Sequence, residues 1–370
     1  LLVDARKAGV HQALRHDLGG VVGRRGVEEE VLVVDRVRVD VIEFECGHAP
    51  MVGPAGRDGM RVARSGPTVA EAARCGPAPY AGAVAYAWRM SELTVPSYVL
   101  NDGSDLPAVG FGTYGLRGSG GVDAMVSAVR TGYRLLDSAF NYENEGILGE
   151  AARRCGVPRE ELRLVSKLPG RCQHYDRAVA TVEESLLRAG LDYWDMYLIH
   201  WPNPGRGLYV EAFGALVDLR GRGLIRSVGV CNFLPEHIDR LRDEVGALPS
   251  VNQIELHPYF PQADALAYHA SVGVRTQSWS PLARKLKAVE DPAITALADE
   301  AGVSPARLIL RWHYQLGTIP LPKSATPSRQ AANLDVFGFS LTEEQMGRIS
   351  ALGRPDGRQA DQDPARYEEF

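Results

Sequence analysis

Asp137 closes an apolar run and Tyr142 follows five positions later, within the stretch Tyr133 to Glu145. Lys167 and His200 come next, each again at the end of an apolar run. A tyrosine is a weak acid, with an unperturbed pKa of about 10. A neighbouring ammonium stabilises the phenolate and lowers that value. Lys167 is expected to supply the ammonium, and Asp137 to pair with it and keep it charged and in place. Tyr142 then becomes a general acid tuned toward neutral pH, and His200 donates a hydrogen bond to the oxygen that receives the proton. Such a set suits the protonation of a developing alkoxide, which a carbonyl under reduction requires.

Each of these residues has a structural reading as well. An aspartate at a strand end often caps a helix or turn, a loop lysine is often merely solvated, and a histidine before Trp201-Pro202 can be a packed core residue. Structural ion pairs also imitate functional ones. Placement separates the two readings, and four complementary side chains on one rim favour the chemical one.

The elements that must position them alternate strictly. Tyr98-Val99-Leu100, the turn residues Asn101-Asp102-Gly103 and the stretch from Leu106 to Val109 carry a hairpin signature. Short strands are then expected at 109–113, 134–136, 162–166, 195–199, 226–230, 251–254, 274–277 and 318–321. Between the first two, Val122, Met125, Val126 and Val129 share one helix face, and Gly132 stands where a C-terminal cap belongs. Further helices are expected over 147–155, 179–188 and 209–219, from Pro235, and from the N-cap pair Ser304-Pro305. Eight strands alternating with helices about every thirty residues imply a parallel sheet. The fold class is therefore α/β, a (β/α)8 TIM barrel with an N-terminal β-hairpin, in which reactive residues stand at the C-terminal ends of the strands. Every candidate above falls at such an exit.

That barrel is assigned to residues 90–370, beginning at Met90. Residues 1–89 differ in texture, with eleven arginines against the single lysine Lys7 and no sustained helical period. Val37 to Val41 alternates like a strand but has no clear partner before the Pro/Gly-rich stretch from Pro50, and a lone strand is unstable in water. The extension is read as disordered or as an upstream segment without function of its own, against the alternative of a small regulatory domain.

Composition excludes several classes. A net charge of −5 over 370 residues leaves no footprint for nucleic acid or an anionic membrane. No apolar run approaches the ~18 residues of a membrane span. Cys46, Cys75, Cys155, Cys172 and Cys231 form no CxxC pair, which fits a reducing, cytoplasmic setting. Glu255-x-His257 and Cys172-x-His174 lack the further ligands a zinc site requires, so no metal is expected.

From Met90 onward the sequence resembles the aldo-keto reductase superfamily, and within it the bacterial 2,5-diketo-gluconate reductases. The resemblance rests on Leu-Asp-Ser-Ala-Phe-Asn-Tyr, Val-Ser-Lys-Leu, Tyr-Leu-Ile-His-Trp-Pro, Gly-Val-Cys-Asn-Phe, Asn-Gln-Ile-Glu-Leu-His-Pro and Pro-Lys-Ser-Ala-Thr. It implies an NADPH-dependent reductase of small-molecule aldehydes, diketones or keto-sugars, with Asp137, Tyr142, Lys167 and His200 as a catalytic tetrad. A monomer is the family expectation. It further implies that Asn232 and Gln253 bind the nicotinamide carboxamide, that Trp279 stacks on the ring, and that Ser280 and Leu282 meet the pyrophosphate. Lys323, Ser324 and Arg329 match the group around the 2′-phosphate, and Asn333 an adenine contact. Gly112, Thr113 and Cys231 complete the cofactor set, and Tyr114, Phe140 and Trp201 are the expected substrate lining.

Three departures from the family pattern stand out. Cys231 replaces a usual serine, and a thiol is a poor donor. Ala332 replaces a common adenine-facing acid, and Leu168-Pro169-Gly170 follows the lysine where many members carry an aromatic, which predicts a differently shaped substrate pocket.

Rival readings remain. Gly110-Phe111-Gly112-Thr113-Tyr114-Gly115 fits the dinucleotide fingerprint by letter, with Asp137 at ribose-binding distance, but Leu116-Arg-Gly-Ser-Gly-Gly is not expected to open a helix on the last glycine, and the helical pattern waits until Val122. A barrel that binds NADP without turnover is a second alternative, opposed by the intact tetrad. A Cys231–His200 nucleophile is a third, without a visible oxyanion site.

Overall fold

The computed structural model describes residues 95–360 and 362–370. The expected extension over 1–89, with its strand-like Val37 to Val41, lies outside the described residues.

The described chain opens with an antiparallel hairpin, β1 (Ser97–Val99) and β2 (Asp105–Pro107), which sets Tyr98 opposite Leu106. The Asp102 carboxylate shapes its turn, accepting from the Ser104 backbone N–H at 3.0 Å and the Ser104 hydroxyl at 2.6 Å. Eight parallel strands follow: β3 (Phe111–Gly112), β4 (Leu135–Asp137), β5 (Arg163–Leu168), β6 (Trp194–Ile199), β7 (Ile225–Cys231), β8 (Val251–Glu255), β9 (Arg275–Trp279) and β10 (Ile319–Pro320). Each pairs with the next in chain order. The first and last then meet, because Gly110 N–H donates to the Pro320 carbonyl at 3.0 Å and Gly112 N–H to the Pro322 carbonyl at 3.2 Å. The closed sheet has no free edge, and the chain forms the expected (β/α)8 barrel. Gly112 makes the seam possible, since a Cβ there would lie 2.8 Å from the Leu321 carbonyl oxygen.

The outer layer comprises α1 (Gly118–Thr131), α2 (Glu145–Arg154), α3 (Tyr175–Ala189), α4 (Tyr209–Gly221), α5 (Pro235–Val245), α6 (Ala263–Val272), α7 (Pro292–Glu300), α8 (Pro305–Gln315), α9 (Pro327–Leu334) and α10 (Glu343–Ser350). Val122, Met125, Val126 and Val129 all turn inward on α1, as their spacing predicts. Gly190 takes φ 63° at the end of α3, a left-handed cap that glycine adopts without a Cβ clash. Ser304 caps α8, its hydroxyl accepting from Arg307 N–H.

One boundary departs from the sequence reading. Helix α1 begins at Gly118, four residues ahead of Val122, with Gly121 N–H bonded to the Arg117 carbonyl at 3.0 Å. Tertiary packing overrides the poor propensity of Gly-Ser-Gly-Gly, because Gly121 lies against Leu116 and Ile147 where a Cβ would be crowded at 3.0–3.4 Å. The glycine motif still fails as a dinucleotide fingerprint. Gly115 sits outside the helix at φ 73°, and Gly110 and Gly112 are used in closing the barrel.

Side chains inside the barrel follow the period of two along each strand. Leu135, Val165, Leu198, Cys231, Val251, Ile319 and Leu321 form one buried cluster with Leu100 and Leu106, so the hairpin plugs the lower end. A larger cluster lies between sheet and helices and includes Phe111, Leu164, Tyr197, Phe213 and Val230. Helices α2 and α3 approach so closely that a Cβ on Gly149 would lie 1.7 Å from the Ala189 carbonyl oxygen. Gly149→Ala should therefore lower unfolding stability by about 3 kcal/mol or more, as overpacking does. Urea denaturation measures this, and an unchanged midpoint would show that the two helices separate freely.

Candidate active site

The period of two explains how the barrel builds its mouth. One step of two residues beyond the interior apolar positions Leu135, Val165, Leu198 and Val251 stand Asp137, Lys167, His200 and Gln253. Interior packing thus aims these polar groups at one rim. Tyr142 arrives differently, on a single 3₁₀ turn, Phe140–Tyr142, immediately after β4.

Lys167 is fully buried, and Asp137 is 4% exposed. The Lys167 ammonium donates to Asp137 Oδ2 at 2.7 Å and to the Ser138 carbonyl at 2.6 Å. Burial works against its charge, but the Asp137 carboxylate outweighs that penalty and holds the ammonium above its ordinary pKa. The expected pair is therefore present. Lys167 Nζ also lies 5.0 Å from the centre of the Tyr142 ring. His200 meets the same ring edge-on, with 5.8 Å between centroids, and Tyr114 flanks it at 5.0 Å.

The acidity of Tyr142 differs from the sequence expectation. Burial dominates and pushes the phenol up to about 12, with the Lys167 charge opposing burial without overcoming it. Tyr142 thus holds its proton firmly at neutral pH instead of being tuned toward it. Cys231, buried at the end of β7, is likewise raised well above the usual thiol range by burial. A protonated, inaccessible thiol is a poor nucleophile, which removes the Cys231–His200 reading.

The residues expected around a dinucleotide line one arc of the rim. Asn232 adopts a left-handed φ of 61° directly after β7. Its side chain donates to the His200 carbonyl at 3.1 Å and accepts from the Trp279 indole N–H at 2.8 Å, so it fixes the half-buried Trp279 ring. Ser280 follows at φ 51°, another strained position at a strand exit. Gln253 donates to Asp137 Oδ1 at 2.8 Å and to Gln277 Oε1 at 3.0 Å, so its amide N–H groups are already engaged by the tetrad and by β9. Leu282 packs partly buried between two core clusters.

Lys323 and Arg329 are exposed on either side of the start of α9, and neither makes an ion pair among the described residues. Two unpaired cations beside a helix N-terminus suit a phosphate. Ser324 shapes the approach to that helix, its hydroxyl accepting from Thr326 N–H at 3.1 Å, and Asn333 is buried on it. Gly112 and Thr113 carry structural loads. Gly112 lies at the seam, and the Thr113 hydroxyl donates to the Asp137 carbonyl at 2.8 Å.

Of the expected substrate lining, Tyr114 is 71% exposed beside Tyr142, and Trp201 is buried against Tyr367 with 4.5 Å between ring centroids. Phe140 is engaged by guanidiniums, Arg188 at 4.0 Å and Arg171 at 5.7 Å from its ring centre. The histidines of the short pairs meet carboxylates. His257 bonds to Glu255 at 2.9 Å, and His174 leans on Glu211 at 3.4 Å. Among the described residues no group of three or more His, Cys, Asp or Glu could hold a metal ion. No described helix is long and apolar enough to cross a membrane.

Sequence reasoning left open whether the tail from Arg358 to Phe370 folds over the mouth. It folds over the mouth, with Glu369 Oε1 2.7 Å from His200 Nδ1. Only an aromatic beside two acids, Tyr367-Glu368-Glu369, hinted at a docking function in the sequence.

Comparisons with known proteins agree with this geometry. Residues 108–354 match the model of the aldo/keto reductase family. The chain is 50% identical over 276 residues to a 2,5-diketo-D-gluconic acid reductase B of Corynebacterium sp., covering 75% of this chain and 99% of that one. It is 40% identical over 269 residues to a methylglyoxal reductase of Escherichia coli, covering 72% and 96%. A Bombyx mori aldo-keto reductase solved in complex with NADP superimposes with a TM-score of 0.67 at 34% identity, covering 72% and 95%. The closed barrel, the buried Asp137–Lys167 pair beside Tyr142 and these matches lead to one assignment: the chain belongs to the aldo/keto reductase family.

Proposed function

We propose that this protein reduces the carbonyl of small aldehydes, diketones or keto-sugars to an alcohol, using NADPH, with Tyr142 as the proton donor. The observation that carries the proposal is the convergence of the Lys167–Asp137 pair, Tyr142 and His200 beside an oriented Trp279. Bound NADPH supplies the hydride. Trp279, held by Asn232, offers a flat face to the nicotinamide, and Lys323 and Arg329 offer positive charge to the 2′-phosphate.

The protein's own part is proton delivery and charge placement. Tyr142 keeps its proton until the carbonyl oxygen acquires negative charge. An alkoxide is a stronger base than a phenolate even when burial weakens the phenol, so transfer then runs downhill. Lys167 stabilises the phenolate that remains, acting as a fixed charge from a fully buried position. His200 orients the oxygen from the other side. Relatives named for 2,5-diketo-D-gluconic acid and methylglyoxal support a substrate with adjacent or multiple carbonyls.

A panel of aldehydes, diketones and keto-sugars, followed at 340 nm with NADPH and NADH, tests the reading. Consumption of NADPH with at least one dicarbonyl is expected, and no loss with any would favour a binding-only barrel. Changing Lys323 and Arg329 to alanine together should raise the KM for NADPH by roughly tenfold or more per cation and leave that for NADH nearly unchanged. Equal preference in the unaltered enzyme would count against their role. A cytoplasmic monomer belongs to the same proposal, and size-exclusion chromatography checks the second part.

A further inference from the structure

The molecule contains a built receptor for its own C-terminus. The Glu369 carboxylate accepts from Asn141 Nδ2 at 2.9 Å through Oε1 and from Gly170 N–H at 2.8 Å through Oε2. Its backbone is clasped by Asn203, whose Nδ2 donates to Glu369 O at 2.8 Å and whose Oδ1 accepts from Glu369 N–H at 3.1 Å. Asn203 is fully buried and sits at φ 48°, a strained conformation that this clasp explains. One residue earlier, Glu368 accepts from Gly205 N–H at 2.6 Å, and Tyr367 packs on Trp201.

Gly170 shows that the fit is specific to the tail. A Cβ at that position would lie 2.4 Å from both Glu369 O and Asn203 Nδ2. This glycine follows the tetrad lysine in the segment where many family members carry an aromatic. Here the space goes to the chain's own terminus.

All these contacts bring one carboxylate beside the His200 ring. Glu369 Oε1 lies 2.7 Å from Nδ1, close enough for an ion pair but out of line with the ring N–H, so what reaches the imidazole is chiefly a charge. Burial acts to raise the Glu369 carboxyl, yet the neighbouring His200 and the donors from Gly170 and Asn141 hold it below its ordinary value.

We propose that Glu369 is a positioning residue for the reduction: the docked tail sets a carboxylate against the His200 ring and fixes its orientation. The proposal rests on the reductase reading above. The tail thereby becomes part of the active site, and a chain whose terminus is undocked has an incompletely assembled mouth.

Glu369→Gln, Glu369→Asp and Gly170→Ala test this in the full chain. Glu369→Gln should lower kcat by roughly tenfold to a hundredfold, with the KM for NADPH and the melting temperature unchanged. Glu369→Asp should recover part of that loss, because the charge returns although its reach is shorter. Gly170→Ala should reproduce the Glu369→Gln defect by denying the tail its seat. In histidine-labelled protein the 15N signals of His200 should move in Glu369→Gln, whatever the activity. A kcat equal to wild type in Glu369→Gln, or an unmoved His200 signal, overturns the proposal. Wild-type protein that reduces no carbonyl overturns the reductase reading and with it the catalytic role, while the His200 signal still decides the contact on its own.

Discussion

Tyr142→Phe should abolish carbonyl reduction, with kcat falling by about a thousandfold or more, while NADPH binds with nearly unchanged affinity. The ring is held by edge contacts to His200 and Tyr114, at 5.8 and 5.0 Å, and phenylalanine keeps both. The hydroxyl's partner is the Lys167 side chain, which Asp137 and the Ser138 carbonyl also hold, so the variant loses an acid and keeps its packing. The phenol keeps its proton at neutral pH and has the Lys167 ammonium nearby to balance the charge that proton transfer leaves. Stopped-flow turnover together with NADPH fluorescence titration separates the two quantities. Retained turnover would refute Tyr142 as the donor and leave His200 as the alternative acid. A large loss of NADPH affinity would instead assign Tyr142 to cofactor binding.

The parts of this site legible in the sequence are those that the strand period dictates. Leu135 and Asp137, Val165 and Lys167, and Leu198 and His200 are each two residues apart, so the side chain that follows an interior apolar one points the same way at the rim. The Lys167–Asp137 pair follows from adjacent strands in parallel register, with Asp137 opposite Val165. Other properties arise from three-dimensional environment. The phenol of Tyr142 responds to how much solvent its surroundings exclude, which spacing does not encode, and burial reverses the direction that the lysine alone implies. The bond from the Gln253 amide to Asp137 across the barrel is likewise set by the fold and not by spacing. Whether the tail covers the mouth was undecided in the sequence for a related reason. Its docking depends on a missing Cβ at Gly170 and a left-handed Asn203, single-residue features without periodicity.

Lys167→Met carries the second large effect, because it separates the structural from the chemical work of the ion pair. The ammonium is fully buried and bonded to Asp137 Oδ2 and the Ser138 carbonyl. Methionine fills similar volume but leaves Asp137 as a buried carboxylate supported by Gln253 alone, and breaking a buried pair this way costs about 3–5 kcal/mol. Turnover should fall by about a thousandfold or more, since the phenolate left by proton transfer loses its counter-charge. Adding Asp137→Asn removes the orphaned charge. The double variant should therefore unfold at clearly higher denaturant than Lys167→Met alone and yet remain as slow. Stability and kcat then respond to different partners, a coupling that a double-mutant cycle measures directly. Recovery of turnover in the double variant would mean that Lys167 serves only to neutralise Asp137, and Tyr142 would need another source for the charge that stabilises its phenolate.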